Sequence, residues 1–111
     1  MELRSSPRVA VNMKLLVYRD GVPVAIGRLR DVSRAGLFVE TDFADIYPEQ
    51  WLEVELLPRA STHIDRCRFQ TWVARRAPEG LGLEVDTFNK AGYTALAALI
   101  DSALVGNRRS R

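Results

Sequence analysis

The sequence is poor in the side chains that carry most covalent and metal chemistry. Cys67 is its only cysteine and His63 its only histidine. A single cysteine excludes an intrachain disulfide and a cysteine-rich zinc site, and it fits a reducing compartment. Within one strand His63 and Cys67 would stand ~13 Å apart at about 3.3 Å per residue, too far for a nucleophile and its base. A triad of Ser33, Asp31 and His63 would need the histidine delivered from another strand, and no motif places it there. The carboxylates lack metal-ligand spacing. Neither catalysis nor a metal or cofactor is expected; Cys67 reads as a small core residue and His63 as a surface one.

Charge of one sign is missing as well. The net charge is +2, and without Arg108, Arg109 and Arg111 the chain holds 13 cations against 14 acids. That balance argues against the one-sign stripe with which a sequence-tolerant nucleic-acid binder displaces counterions. Lysine is nearly absent: Lys14 and Lys90 are the only two, so arginine supplies 14 of the 16 cations. Arginine is the planar fork suited to phosphates and guanine edges, although genomic base composition produces the same bias. Long apolar runs are also lacking. The longest near the C-terminus, residues 95–100, falls far short of the ~18 that span a bilayer. Residues 1–11 carry Glu2, Arg4 and Arg8 and no apolar stretch, so no secretory leader and no membrane insertion are expected, and the cytoplasm is the expected compartment.

What is present is enough for one core: 111 residues, 47% of them apolar. Val9, Val11, Met13, Leu15 and Val17 alternate with their neighbours in the period of a half-buried strand. Asp20-Gly21 is a hairpin turn signal, and residues 22–29 read as the returning strand, with Pro23 tolerated at its start. Residues 31–36 form a small, polar corner before a strand at 37–40. A strand at 51–57 buries Leu52, Val54 and Leu56 and turns Glu53 and Glu55 outward, and Pro58 closes it. Residues 64–75 put Cys67, Phe69, Thr71 and Val73 on one face, with Arg66, Arg68, Gln70 and Trp72 on the other. A turn at 78–80 leads into a strand at 81–85. Asp86 or Thr87 is then placed to cap a helix whose apolar positions are Tyr93, Leu96, Ala97, Ile100 and Leu104. Six short strands and one terminal helix predict a mainly β fold, a small antiparallel barrel with the helix over one opening.

Two constellations carry recognition chemistry. Arg4 and Arg8 lie four apart in a polar leader ahead of the first strand. Such a pair is ordinarily solvated charge. Asp31, Ser33 and Gly36 then form D-x-S-x-x-G at a strand corner, where glycine permits a close backbone approach and the other two supply an acceptor and a hydroxyl. Alone, that reads as a turn with side-chain caps. Together, R-x-x-x-R at residues 4–8, D-V-S-R-A-G at 31–36 and G-L-G-L-E-V at 80–85 resemble the PilZ domain family over nearly the whole chain.

The resemblance implies a PilZ-type barrel and a binding function: a bacterial receptor for the second messenger cyclic di-GMP that signals to a downstream protein in motility, biofilm formation or secretion. Carried onto matching positions, it has Arg4 and Arg8 clamp guanine and phosphate while Asp31, Ser33 and Gly36 line the barrel surface. A guanidinium fork matches guanine O6 and N7, and a good pair discriminates by about 1–3 kcal/mol. Trp72 resembles an aromatic near the ligand in some members. Its polar-face position frees the ring to stack on a base, and the competing reading packs it beneath the terminal helix. Arg34 and Arg75 are weaker candidates beside the motifs. Many members carry another arginine beside the first; here Leu3 and Ser5 flank Arg4, so one nucleotide per chain is expected. The resulting organisation is a ligand-clamping leader (1–8), a barrel with its helix (9–105) and a basic tail (106–111), with ligand binding ordering the leader. Two other classes compete: a nucleotide-independent PilZ-fold adaptor, and a barrel for single-stranded nucleic acid, for which only Arg66, Arg68 and Trp72 offer interleaved basic and aromatic groups.

Overall fold

The computed structural model describes residues 8–43, 45–59, 64–86 and 89–109, with the side chains of the last segment described through Leu104. Six strands, β1 (Val9–Arg19), β2 (Val22–Val32), β3 (Gly36–Glu40), β4 (Trp51–Leu57), β5 (Arg68–Ala77) and β6 (Gly80–Val85), precede one helix, α1 (Lys90–Arg109). The strands close into a barrel in the order β1-β2-β3-β6-β5-β4, every pairing antiparallel. The predicted architecture, six antiparallel strands and a C-terminal helix, is the observed one.

Local chemistry explains the strand boundaries. Asp20 and Gly21 both take positive φ, 53° and 79°, the pair of angles whose twist suits a two-residue hairpin. Inward residues then fill the barrel: Leu15 and Val17 from β1, Leu29 and Val32 from β2, Leu37 and Val39 from β3, Val54 and Leu56 from β4, Phe69 and Val73 from β5, Leu81 and Leu83 from β6. Thr71 is the one polar side chain in this interior row of β5, and it is satisfied by donating to the Leu52 carbonyl at 2.9 Å. Ile46, from the loop after β3, is fully buried at the mouth opposite α1, and Arg19 holds that loop by donating to the Asp45 carbonyl at 2.6 Å.

Three expectations are corrected. The fifth strand begins at Arg68 and not at residue 64, and it runs on to Ala77. Ile64 and Cys67 are half-buried against the core from a loop, and Cys67 continues the alternation of Phe69, Thr71 and Val73 without belonging to the strand. The helix cap is Asn89, whose Oδ1 accepts from Gly92 N at 3.0 Å; the Asp86 carbonyl instead accepts from Asn89 N at 2.9 Å, and Thr87 lies outside the described residues. The buried helix face is Gly92, Ala95, Leu96 and Leu99, whereas Tyr93, Ala97 and Leu104 are exposed and Ile100 is half-buried. The reason is close approach: a Cβ at Gly92 would stand 2.6 Å from Val85 Cγ1 and 3.2 Å from Phe69 Cδ2. Gly92 and Ala95 share the contact with Leu96 and Leu99, so ranking positions by side-chain bulk rotates the stripe. Among the described residues no helix is long and apolar enough to cross a membrane.

Candidate functional site

Strand register gathers the distant motif residues. Asp31 of β2 stands opposite Phe38 of β3, Phe38 opposite Gly82 of β6, and Gly82 opposite Arg75 of β5. The neighbouring outward row is Gly36, Glu84, Trp72 and Trp51. At about 4.8 Å per strand, each row lays four side-chain positions across ~14 Å of the outer wall.

Two irregularities aim the charges outward. In β2 the register slips between Leu29 and Asp31, so Arg30 and Asp31 together face Phe38; in β5 it slips between Val73 and Arg75, so Ala74 and Arg75 together face Gly82. Strict alternation from the buried Leu29 and Val73 would have pointed Asp31 and Arg75 into the core. Each bulge inserts one residue and turns the next outward. Both bulges fall on the same row, which is why two charges bracket one aromatic ring.

That ring is Phe38. It faces away from the core, between the inward Leu37 and Val39, yet is only 7% exposed. The cover is made of arginine: the Arg30 guanidinium lies 5.2 Å and that of Arg75 5.6 Å from the ring centroid. Gly82 clears the path, since a Cβ there would come to 3.0 Å from Arg75 Cγ. Arg30 is further fixed by an ion pair of 2.8 Å to Glu40.

Arg8 enters beside this row just ahead of β1, and its Nε donates to Asp31 Oδ1 at 2.7 Å. Among the described residues its terminal nitrogens meet no acceptor, so Asp31 orients the fork and leaves its tip open. Ser33 is buried at the corner. Its amide donates to the Gly36 carbonyl at 2.9 Å, and its Oγ accepts a long bond of 3.4 Å from Ala35 N. Gly36 is required by the barrel itself: a Cβ would sit 2.3 Å from the Leu83 carbonyl oxygen. The close approach expected of this glycine is therefore made by β6. The result is a surface depression in two adjoining parts of about 220 and 230 Å³, joined at Arg8, Phe38 and Arg75 and reaching Asp31, Ser33, Gly36 and Glu84.

Trp72 is half-buried on the outer wall with Trp51, ring centroids 5.0 Å apart and planes at 64°. It lies two strands from Gly36, through Glu84. Arg4 and His63 lie outside the described residues, and Arg34 is exposed at the corner. Arg30 and Phe38 are the members of the cluster that sequence reasoning missed, while Gly82 entered only as part of the G-L-G-L-E-V segment. The available signal was charge next to charge, Arg30-Asp31 directly after an inward leucine.

The opposite wall holds a closed network. Glu55 accepts from Tyr18 Oη at 2.6 Å and from Arg66 Nε at 2.7 Å, Arg68 pairs with Glu53 at 2.9 Å, and the Arg68 guanidinium lies 3.9 Å from the Tyr18 ring centroid. The Tyr18 bond chiefly, then Arg66, lowers the Glu55 pKa; the same bond raises that of Tyr18. Arg66 and Arg68, offered as nucleic-acid contacts, are thus committed to carboxylates. Burial, followed by Asp65 and Glu55, pushes the Cys67 thiol up, away from a reactive thiolate. Among the described residues no group of three His, Cys, Asp or Glu is placed to hold a metal ion.

Comparison with known proteins agrees with this architecture. The chain is similar in structure to the PilZ domain, with c-di-GMP, of YcgR from Escherichia coli, at a TM-score of 0.76 and 12% identity over 96% of this chain and 95% of that one. It is similar to the Bacillus subtilis inhibitor of motility (MotI/DgrA) at a TM-score of 0.70 and 16% identity, covering 100% of this chain and 54% of that one. A search of curated proteins finds no match. A family model, the PilZ domain, matches residues 2–102, so the chain belongs to the PilZ domain family.

Proposed function

We propose that this domain is a receptor for cyclic di-GMP, acting by binding and not by catalysis. The carrying observation is the convergence of Arg8 with Asp31, Ser33 and Gly36, 23 to 28 positions further along the chain, on one depression roofed by Arg30 and Arg75. Asp31 holds Arg8 through Nε, so the two terminal nitrogens can meet guanine O6 and N7 or a phosphate oxygen as a bidentate pair. Ser33 offers a hydroxyl to a phosphate or a guanine edge. Arg75 and Arg30 supply further positive charge, and moving either aside bares the Phe38 ring for a base. Trp72 supplies a second aromatic surface two strands away. The YcgR domain with this fold is described with c-di-GMP, which supports the choice of ligand.

Arg4 completes the clamp in this reading. The leader folds over the barrel when both arginines engage, and the changed surface is what a downstream bacterial protein reads. One nucleotide binds per chain. Calorimetric titration of cyclic di-GMP into the protein and into Arg8→Ala, with GMP and cyclic GMP as controls, tests this. Selective binding near one per chain that Arg8→Ala abolishes is the expected result. No binding by the unmodified protein would overturn the receptor reading and leave a PilZ-fold protein adaptor, and a stoichiometry near two would overturn the single-site claim.

A further inference from the structure

The largest depression described on the barrel, about 850 Å³, lies across β1, β2 and the end of β4. Its rim is Lys14, Arg28, Arg59 and Arg66, its floor Met13, Leu57 and Pro58, and among the described residues no carboxylate lines it. Lys14 and Arg28 stand directly opposite each other in the β1–β2 register. Like charges so placed destabilise an antiparallel pair.

Glu40, Asp42 and Glu79 border a separate depression that Lys14 and Arg28 also line, but among the described residues none of them ion-pairs with either cation. Glu40 stands opposite Arg28 on β3 but pairs with Arg30 at 2.8 Å, and Glu55 opposes Leu16 and pairs with Arg66. Arg28 donates only to the neutral Asn12 Oδ1, at 2.7 Å. Among the described residues neither Lys14 nor Arg28 makes an ion pair. Two facing cations without an ion pair among the described residues thus stand at the mouth of this cleft, beside an apolar floor.

We propose that this cleft is a second ligand site, independent of the cyclic di-GMP reading, for a small molecule bearing phosphate with at least two negative charges. Lys14 and Arg28 bind the phosphate oxygens, and the floor carries the less polar part of the ligand. The volume falls in the range of small-molecule sites, roughly 300–1,000 Å³.

The test is an NMR titration of the full chain with inorganic pyrophosphate at low salt, repeated on Lys14→Gln/Arg28→Gln and on Arg8→Ala. Saturable shifts centred on Asn12, Lys14, Arg28 and Leu57, kept in Arg8→Ala and weakened about tenfold or more in the double variant, are expected. Unsaturated shifts over arginines everywhere, equal binding by the double variant, or loss in Arg8→Ala would overturn it. A single-stranded oligonucleotide or an acidic peptide binding the same residues far more tightly than pyrophosphate would overturn it in favour of a macromolecular surface. The unfolding midpoint of the unmodified chain also rises with pyrophosphate if the site is real, and a flat midpoint counts against it.

Discussion

Gly36→Ala separates the two reasons a motif glycine can exist. The new Cβ would lie 2.3 Å from the Leu83 carbonyl oxygen and 3.3 Å from its carbon. Both are backbone atoms, so no rotamer change relieves the overlap. β3 and β6 must part by roughly 0.7 Å to reach even a 3.0 Å contact, at the end of the ladder where Gly36 faces Glu84. Overpacking of this kind costs about 1–3 kcal/mol, and weakened hydrogen bonds there add about 1 kcal/mol. A loss of about 2–4 kcal/mol is therefore expected, a large part of the ~5–15 kcal/mol that holds a domain together.

Urea unfolding reads this as a midpoint lowered by about 1–2 M. Gly82→Ala is the matched control. The three atoms nearest its Cβ all belong to the Arg75 side chain, with Cγ at 3.0 Å, and that side chain can swing away. Stability should change by less than about 1 kcal/mol, while Arg75 leaves Phe38 and cyclic di-GMP affinity falls. A Gly36→Ala midpoint shifted by less than about 0.3 M would refute the reasoning, because the strands would then yield freely and the glycine would answer to the ligand alone.

Asp31→Asn should lower stability by no more than about 1 kcal/mol, because its pair with Arg8 is 40% and 29% exposed, yet weaken cyclic di-GMP binding at least tenfold; equal small losses in urea unfolding and calorimetry would show that the pair orients nothing. Leu96→Ala should cost about 2–5 kcal/mol and Tyr93→Ala less than about 1 kcal/mol, since the first side chain is buried and the second exposed; a Tyr93→Ala loss as large as that of Leu96→Ala in chemical denaturation would restore the helix face expected from bulk. The Glu55 pKa is held below its ordinary 4.5, so its contribution is complete above that pH and is lost as pH falls through the lowered value. That of Tyr18 is raised above 10.0, so its contribution is complete below that pH and is lost as pH rises through the raised value. Tyr18→Phe should shrink the acid limb of a stability–pH curve and remove the tyrosine's alkaline limb; an unchanged acid limb would contradict the Tyr18–Glu55 bond.

The fold was legible because its signals are local. Asp20-Gly21 makes the turn its residues suit, and Leu52, Val54 and Leu56 of β4 alternate into the core, so these elements stand where the pattern puts them. The helix was placed correctly but turned wrongly, because its packing is decided by Val85 and Phe69, which receive Gly92 from a different part of the chain. Proximity to a glycine leaves no mark on hydrophobic periodicity.

The site was half legible for a related reason. Arg8, Asp31, Ser33 and Gly36 announce themselves by spacing, whereas Phe38 sits in the apolar run of β3 and reads as core. Only the register, with its slips at Arg30 and at Ala74, shows that the ring faces outward and that Arg30 and Arg75 converge on it. A bulge violates the period of two by one residue, and that single violation turns a side chain from the interior to the surface. Two consecutive residues unsuited to the interior, placed between inward positions that fit different phases, are the trace it leaves: Arg30-Asp31 between Leu29 and Val32. The same irregularity that blurs the strand pattern thus builds the site. In a closed barrel whose interior is filled, a ligand site of the proposed kind has to lie on the outer wall, and the breaks in alternation are where that wall departs from a plain strand surface.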